Sequence, residues 1–385
     1  MSAVPELRFP EFAGQWRKST LSAESVSLDS KRIPLKEGDR DKREGVYPYY
    51  GASGIIDHID DYIFDEKVIL LAEDGANILS RSSPIAFLVS GKSWVNNHAH
   101  VYRATGSSEF LVACLENIRY EKYNTGTVQP KLNAEICAKI PLRVPTLPEQ
   151  QKIATFLGAV DNKIDALRRK HDALKQFKAG LMQKLFSQEL RFKRDDGSDY
   201  PDWEEKRLGE LLKERKTSAP KSSGLPHISL TTEGVVPKSA RYDRDFLVRD
   251  DSEKKYKITR YGDLCYNPAN LKFGVISMNK LGDGLFSPIY VTFEIGEVAP
   301  LYLEALVKQA DFQKRVRRYE QGTVYERMAV SPADFLKAKL DFPCIREQQK
   351  IADALSAMDA KVEAVAGQIT HMENFKAGLL QKMFV

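Results

Sequence analysis

Two stretches of the chain carry apolar residues at alternating steps of four and three. In residues 149–186 these are Ile153, Leu157, Val160, Ile164, Leu167, Leu174, Leu181 and Leu185; in residues 347–384 they are Ile351, Leu355, Met358, Val362, Val365, Ile369, Met372, Leu379 and Met383. That spacing keeps one face of a helix apolar along its whole length, and a narrow stripe of this kind suits a seam against another helix. Neither stretch contains proline, while Pro145 and Pro148 precede the first and Pro343 the second, so each helix is predicted to begin just after them. At ~1.5 Å per residue each makes a rod of roughly 57 Å. A lone rod of that length frays, so the natural partner of each is the other, in an antiparallel coiled coil.

The two stretches align without a gap at an offset of 198, with 19 of 38 positions identical, which marks an internal duplication. Both contain Phe-Lys-Ala-Gly-Leu. Phe177 and Phe375 are predicted to be buried there, and Gly180 and Gly378, each costing about 1 kcal/mol relative to Ala in a helix interior, to serve either a close backbone approach or a kink. His171 stands in the stripe where the other copy has Ile369 and reads as a histidine tolerated in a packed seam.

Weaker repetition continues outside the rods. Leu7-Arg8-Phe9 with Trp16 answers Leu190-Arg191-Phe192 with Trp203, and Gly126-Thr127-Val128 answers Gly322-Thr323-Val324. The domain plan is therefore a globular domain over 1–148, a spacer helix over 149–187, a second domain over 188–346 and a second spacer helix over 347–385. Between the shared ends the two domains diverge almost completely. Strand-like runs lie at Val68–Leu71 and Ile85–Val89 in the first, and around Gly262–Tyr266, Phe273–Met278 and Pro288–Phe293 in the second, where a helix is predicted from about Pro300 to Arg318. The fold class is α+β, a mixed α/β chain with a pseudo-two-fold internal repeat.

A length of 385 residues fits two domains, and 42% hydrophobic residues suffice for two ordinary cores. The net charge of +5 is too mild to establish a nucleic-acid partner. Cys114, Cys137, Cys265 and Cys344 lie far apart and form no CxxC pair, which points away from a disulfide framework or zinc site and toward a reducing compartment. With no leader-like N-terminus and no apolar run of membrane-spanning length, the expected location is the cytoplasm, with no membrane partner.

Candidate chemistry points to binding. In the second domain Lys238, Arg241, Arg244, Lys255 and Lys257 interleave with Tyr242, Tyr256 and Tyr261, and Arg317 lies in a second basic run. Basic and aromatic groups mixed in this way suit phosphate contacts with base-edge readout, although nearby Asp and Glu residues fit a plain solvated face as well. In the first domain Tyr50, Ser53, Lys92, Trp94, Asn96, Asn97 and His98 offer amide, hydroxyl and ring groups, to which Asn270, Lys272, Thr127 and Thr323 are added as candidates. Asn267-Pro268-Ala269-Asn270 lacks the aromatic residue an adenine-methylating loop needs after its proline, and there is no GxGxxG or Walker A loop. Glu73 with Asp74, and His98 with His100, lack the further ligands a nuclease or metal site requires. From the residues alone a DNA reader and a protein-binding scaffold both stand, with a stand-alone methyltransferase or nuclease as a weaker third reading.

The motif Leu147-Pro148-Glu149-Gln150-Gln151-Lys152-Ile153, its second appearance at Glu347–Ile351, the preceding Gly126-Thr127 and Gly322-Thr323, Leu7-Arg8-Phe9-Pro10 with Trp16, and Tyr47-Pro48-Tyr49-Tyr50-Gly51-Ala52-Ser53-Gly54-Ile55 together resemble the specificity subunits of type I restriction-modification systems. The resemblance covers essentially the whole chain. It departs where the family often has a double proline before the Glu-Gln pair; here stand Pro145-Thr146-Leu147-Pro148 and Pro343-Cys344-Ile345-Arg346. It implies two target recognition domains, each reading one half of a split, asymmetric sequence in double-stranded DNA, with the paired helices setting the gap. It further implies a non-catalytic chain on which two methyltransferase subunits and the restriction subunits assemble. No cofactor belongs to this chain; S-adenosylmethionine, ATP and Mg2+ are expected in the partner subunits.

Overall fold

A computed structural model describes residues 4–238, 255–320 and 329–384. The chain divides into two compact units: residues 1–170 with 365–385, and residues 171–364.

In the first unit the strand Arg17–Thr20 pairs antiparallel with Pro141–Val144, tying the start of the domain to the residues just before the first long helix. In the second unit Glu204–Arg207 pairs with Lys339–Phe342 in the same sense. A one-turn helix follows each opening strand, Leu21–Glu24 and Leu208–Leu211, and leads into an antiparallel four-stranded inner sheet. The first is ordered Ser25–Ser27, Ala99–Ala104, Val68–Ala72, Ala86–Val89; the second Leu212–Glu214, Val291–Ile295, Leu264–Tyr266, Ile276–Met278. The two orders correspond strand for strand, although the sequences between the shared ends do not align. All five residues of Val68–Ala72 are buried, as a strand covered on both faces requires.

The outer layers differ. The first unit has a second four-stranded sheet, ordered Gly54–Ile59, Glu44–Gly51, Lys92–Val95, Phe64–Asp65, with one parallel pairing of Tyr49 and Tyr50 with Trp94 and Val95. Among the described residues the second has a three-stranded sheet, Ser218–Pro220, Lys255–Thr259, Gly284–Phe286, and a hairpin, Ile228–Thr231 with Gly234–Pro237.

The helix predicted over Pro300–Arg318 is two helices, Pro300–Val307 and Ala310–Arg317. The reason lies in the apolar positions. In one continuous helix Phe312 would point roughly 180° away from Leu303, yet both are buried in the same core. An extended Gln309 turns the chain so that both faces pack.

Both long helices form, as Leu147–Phe186 and Ile345–Met383. The first starts one residue before Pro148, which sits in the first turn, where its missing N–H leaves no bond unmade. Most residues of the apolar stripes are buried, with Leu174, Leu181, Val362, Ile369 and Met372 half-buried, and much of their partner is a domain core. In the first unit Ile153, Leu157, Val160 and Ile164 join the core with Leu379 and Met383 from the far end of the second helix. In the second unit Leu185 joins Ile351, Ala352 and Leu355. The pairing within each unit is antiparallel: Asp161 meets Lys376 at 2.6 Å and Arg168 meets Glu373 at 2.6 Å in the first, and Lys178 pairs with Asp359 in the second. The expected burial of the two phenylalanines fails here, as does a close backbone approach at the two glycines. Phe177 and Phe375 are 62% and 45% exposed, because they lie off the stripe on the outer side of their helices. Gly180 and Gly378 face open space while the helices run on unbroken through them, so no backbone approaches closely at either.

The remaining shared residues attach each domain to its helix. Buried Glu149 accepts two hydrogen bonds from the Arg8 guanidinium, at 2.7 and 2.8 Å, and buried Glu347 accepts two from Arg191, at 3.2 and 2.9 Å. The hydrogen bond to the carboxylate holds both arginines above their ordinary pKa. Gln150 donates to Pro145 O and accepts from Ser107 N, the N-cap of the helix Ser108–Asn117; Gln348 donates to Pro343 O and accepts from Ala299 N, the N-cap of Pro300–Val307. Lys152 pairs with Glu11 and covers the Phe9 ring, while Lys350 pairs with Asp195 and covers Tyr200. The Glu-Gln-Gln-Lys motif is thus a mounting, used twice.

Candidate nucleic-acid interface

One end of the first domain gathers several of the candidate side chains. Asn96 N donates to Tyr50 O at 3.0 Å, which joins the strand Lys92–Val95 to the hairpin whose turn holds exposed Ser53. Asn96 is buried and accepts from His98 N through Oδ1 at 2.8 Å, so it shapes the turn that presents exposed Asn97 and His98. The His98 Nδ1 lies 2.9 Å from Asp74. Gly75 N donates to Pro130 O, which sets the loop carrying Thr127 beside this group. Tyr50 is half-buried and burial pushes its phenol pKa up.

Beneath this surface lies a buried charged cluster. The His100 Nδ1 contacts Asp29 at 2.7 Å and its Nε2 the Leu132 carbonyl at 2.9 Å, with Glu73 at 3.6 Å. Burial opposes a charge on this ring, but the hydrogen bond to Asp29 and the further bond to the Leu132 carbonyl outweigh it and raise the pKa to about 10. Both ring nitrogens therefore donate. Arg32 bonds Glu73 at 2.7 Å and Ala99 O at 2.8 Å, and Lys131 reaches Glu73 at 3.3 Å. The two histidines weighed as a metal pair thus serve separate carboxylates, and among the described residues no group of three His, Cys, Asp or Glu could hold a metal ion. Four free cysteines complete the account, three of them buried.

Two candidates stand apart. Lys92 lies over the Tyr47 and Tyr62 rings, at 5.6 and 4.6 Å from their centroids. Trp94 is buried and its indole N–H donates to Ile33 O at 2.7 Å, so that donor is occupied within the domain core and does not reach a base edge.

The second domain distributes its candidates over two places. Lys255 and Lys257 belong to the outer strand Lys255–Thr259, and Lys238 follows the outer strand Gly234–Pro237; Lys238 and Lys255 are exposed, and Lys257 lies 3.9 Å from Glu214. Asn270 and Lys272 are exposed on the turn after the strand Leu264–Tyr266, with Lys272 Nζ 5.0 Å from the centroid of the Phe273 ring, itself 63% exposed. The helix Ala310–Arg317 packs on this turn and carries Arg317 at its end, bonded to Glu320 at 2.9 Å. Asn267 is buried and accepts from Ala269 N, making a tight turn of the Asn-Pro-Ala-Asn sequence. Arg241, Tyr242, Arg244 and Thr323 lie outside the described residues.

Sequence reasoning missed Asp29, Arg32 and Lys131, and weighed Asp74 only as part of a nuclease site; together they build the first site's foundation from three separate segments, around residues 29–32, 74 and 131, that no spacing in the sequence links. It also missed Phe273, although an aromatic residue beside lysine on a Gly-terminated turn is a visible signal.

Residues 19–176 match the family described as type I restriction modification DNA specificity domain. A putative type I restriction enzyme specificity subunit of Haemophilus influenzae is 33% identical over 135 residues, which is 34% of this chain and 34% of that protein. The type I restriction enzyme MjaVIII specificity subunit of Methanocaldococcus jannaschii is 22% identical, covering 88% of this chain and 85% of that protein. The chain thus spans about a third of the first relative's length and most of the second's. A type I restriction-modification S subunit from M. genitalium has the same fold, with a TM-score of 0.59 at 15% identity over 99% of both chains.

Proposed function

Because the chain belongs to the family of type I restriction-modification specificity subunits, we propose that it reads a bipartite, asymmetric sequence in double-stranded DNA and performs no chemistry itself. One observation carries this reading. Two domains with corresponding inner sheets and a mounting that repeats the same Arg, Glu, Gln and Lys present different outer layers, the arrangement needed to bring two different readers to one duplex. Tyr50, Ser53, Asn97 and His98 form the reading end of the first domain, with Thr127 contacting DNA beside them; Lys238, Lys255, Lys257, Asn270, Lys272 and Arg317 serve the second. Phosphate contacts set the register and side chains on firm supports read base edges.

The repeated helices give two methyltransferase subunits equivalent places to dock, and exposed Phe177 and Phe375 supply the same aromatic contact in each unit. Those subunits carry S-adenosylmethionine for adenine methylation, and restriction subunits add ATP- and Mg2+-dependent cleavage. No helix among the described residues is long and apolar enough to cross a membrane.

The test is methylated-base mapping in cells holding the chain and its methyltransferase. Exchange of residues 20–125 for the corresponding domain of another such subunit is expected to change one half of the target and leave the other intact. A change in both halves, or methylation that does not depend on the chain, would sink the proposal.

A further inference from the structure

Outside the mounting and the helices, Gly126-Thr127-Val128 is a stretch the two domains share in sequence while nearly everything around it has diverged. The glycine has a structural cause, since a Cβ there would lie 1.7 Å from Gln129 O. Thr127 and Val128 have none. Both are exposed, Val128 is 100% exposed, and among the described residues neither side chain has a hydrogen-bond or packing partner.

The loop that carries them is firmly held. Asn124 donates to Gly126 O and its Oδ1 accepts from Gly126 N and Lys131 N at 3.0 and 2.8 Å, closing the loop at its neck. Thr125 N donates to Lys131 O, and Leu132 N donates to Glu73 O at 2.7 Å. The Leu132 carbonyl in turn accepts from His100 in the buried charged cluster. A rigid pedestal under a fully exposed, branched apolar tip is not what a solvated surface loop requires. Interfaces that distort DNA do require it: apolar side chains on firm supports enter between bases and unstack them.

Residues kept alike in two otherwise different readers serve a task common to both half-sites, not the discrimination between them. Where each half-site holds an adenine to be methylated, that common task is release of the base from the stack. We propose, resting on the specificity-subunit reading above, that Val128 is the wedge by which the first domain opens the duplex at its target adenine. The neighbouring Asn97 and His98, at the same end of the domain, face the adjoining bases. Gly322-Thr323-Val324 is the matching sequence of the second domain and lies outside the described residues.

The experiment uses the full chain in complex with its methyltransferase subunits, on a duplex carrying the mapped site with 2-aminopurine in place of the adenine in the first domain's half-site. Val128→Ser and Val128→Gly alter a side chain with no packing role, so the fold is retained. The expected result is loss of most of the 2-aminopurine fluorescence rise, and on the unsubstituted duplex a methylation rate at least ten-fold lower in that half-site, with the other half-site and methyltransferase co-purification unchanged. Equal loss at both half-sites with weaker co-purification would assign the loop to protein docking and overturn the proposal, as would no change at either half-site. Absence of salt-sensitive binding by the wild-type complex would overturn the specificity reading itself, and this proposal with it.

Discussion

The mounting of the first domain and that of the second correspond group for group: Arg8 with Arg191, Glu149 with Glu347, Gln150 with Gln348, Lys152 with Lys350. Among the described residues the outer layers correspond in neither strand number nor order. This contrast shows where each kind of constraint acts. Attachment to a helix is one geometric problem with one solution written twice, whereas the outward surfaces answer different demands and have drifted to different sheets.

The largest expected effect comes from the place where the correspondence is incomplete. Glu149 also accepts from the Trp16 indole at 3.2 Å, but the buried Trp203 Nε1 has no hydrogen-bond partner among the described residues. Removing one member of a buried ion pair costs about 3–5 kcal/mol, and the added loss of the tryptophan bond about 1 kcal/mol. Glu149→Ala should therefore destabilise the chain more than Glu347→Ala, read as the difference in urea-unfolding midpoints at a common slope. Equal shifts would mean that the Trp16 bond adds nothing and that the two mountings are energetically the same.

That asymmetry was not legible in the sequence, and the reason applies to much of the site. The helices and the inner strands were legible because their signals are local: a three-four step that stays on one face, and short apolar runs bounded by turns. Glu149 was visible as a repeated letter, but its partners sit 141 and 133 residues away, and no local pattern links a carboxylate to a distant guanidinium. The same holds for His100, whose contacts to Asp29 and Leu132 come from segments brought together only by the sheet. Phe177 and Phe375 misled because a conserved-looking aromatic residue in a helix reads as core, while a single-residue offset from the stripe turns it outward. Trp94 misled for the opposite reason: an indole that seems suited to base recognition is filling a core.

His100 gives the next contrast. It lies in register opposite Leu71, and the matching position of the second inner sheet, opposite Tyr266, is Val291, which does not titrate. The folded-state pKa of about 10 lies above the ordinary histidine value of 6.5, so the native state keeps the proton where the unfolded state has released it. The stability this provides is complete below about pH 6.5 and is lost as pH rises toward about 10, with a slope of at most about 1.4 kcal/mol per pH unit. The destabilisation caused by His100→Gln should therefore shrink steadily from pH 6.5 to pH 10, measured by urea unfolding of both proteins across that range. Val291→Ala should show a difference that does not vary with pH. A His100→Gln deficit that stays constant would mean the ring is neutral and the cluster is balanced by Arg32 and Lys131 alone.

The smallest effects belong to the helices themselves, where one repeat writes two ion pairs. Asp161 with Lys376 and Asp359 with Lys178 are the same two positions exchanged between copies, so antiparallel pairing of the repeat generates both. All four side chains are partly exposed, at 48% and 33% in the first pair and 62% and 26% in the second. Pairs of this kind contribute about 0.5 kcal/mol each, too little to hold two helices together but enough to favour one register when apolar stripes allow several. Double-mutant cycles with Asp161→Asn and Lys376→Met, and with Asp359→Asn and Lys178→Met, should give coupling energies near that value and equal within error, and both should fall in high salt. The first unit adds Arg168 with Glu373, for which the repeat has Ala366 and Lys175 at the matching positions and no such pair. Arg168→Ala should thus weaken only the first unit's pairing. If the two cycles differ by more than this extra bridge explains, the helices are not equivalent mounts, and the asymmetry of the protein extends from its outer layers into its frame.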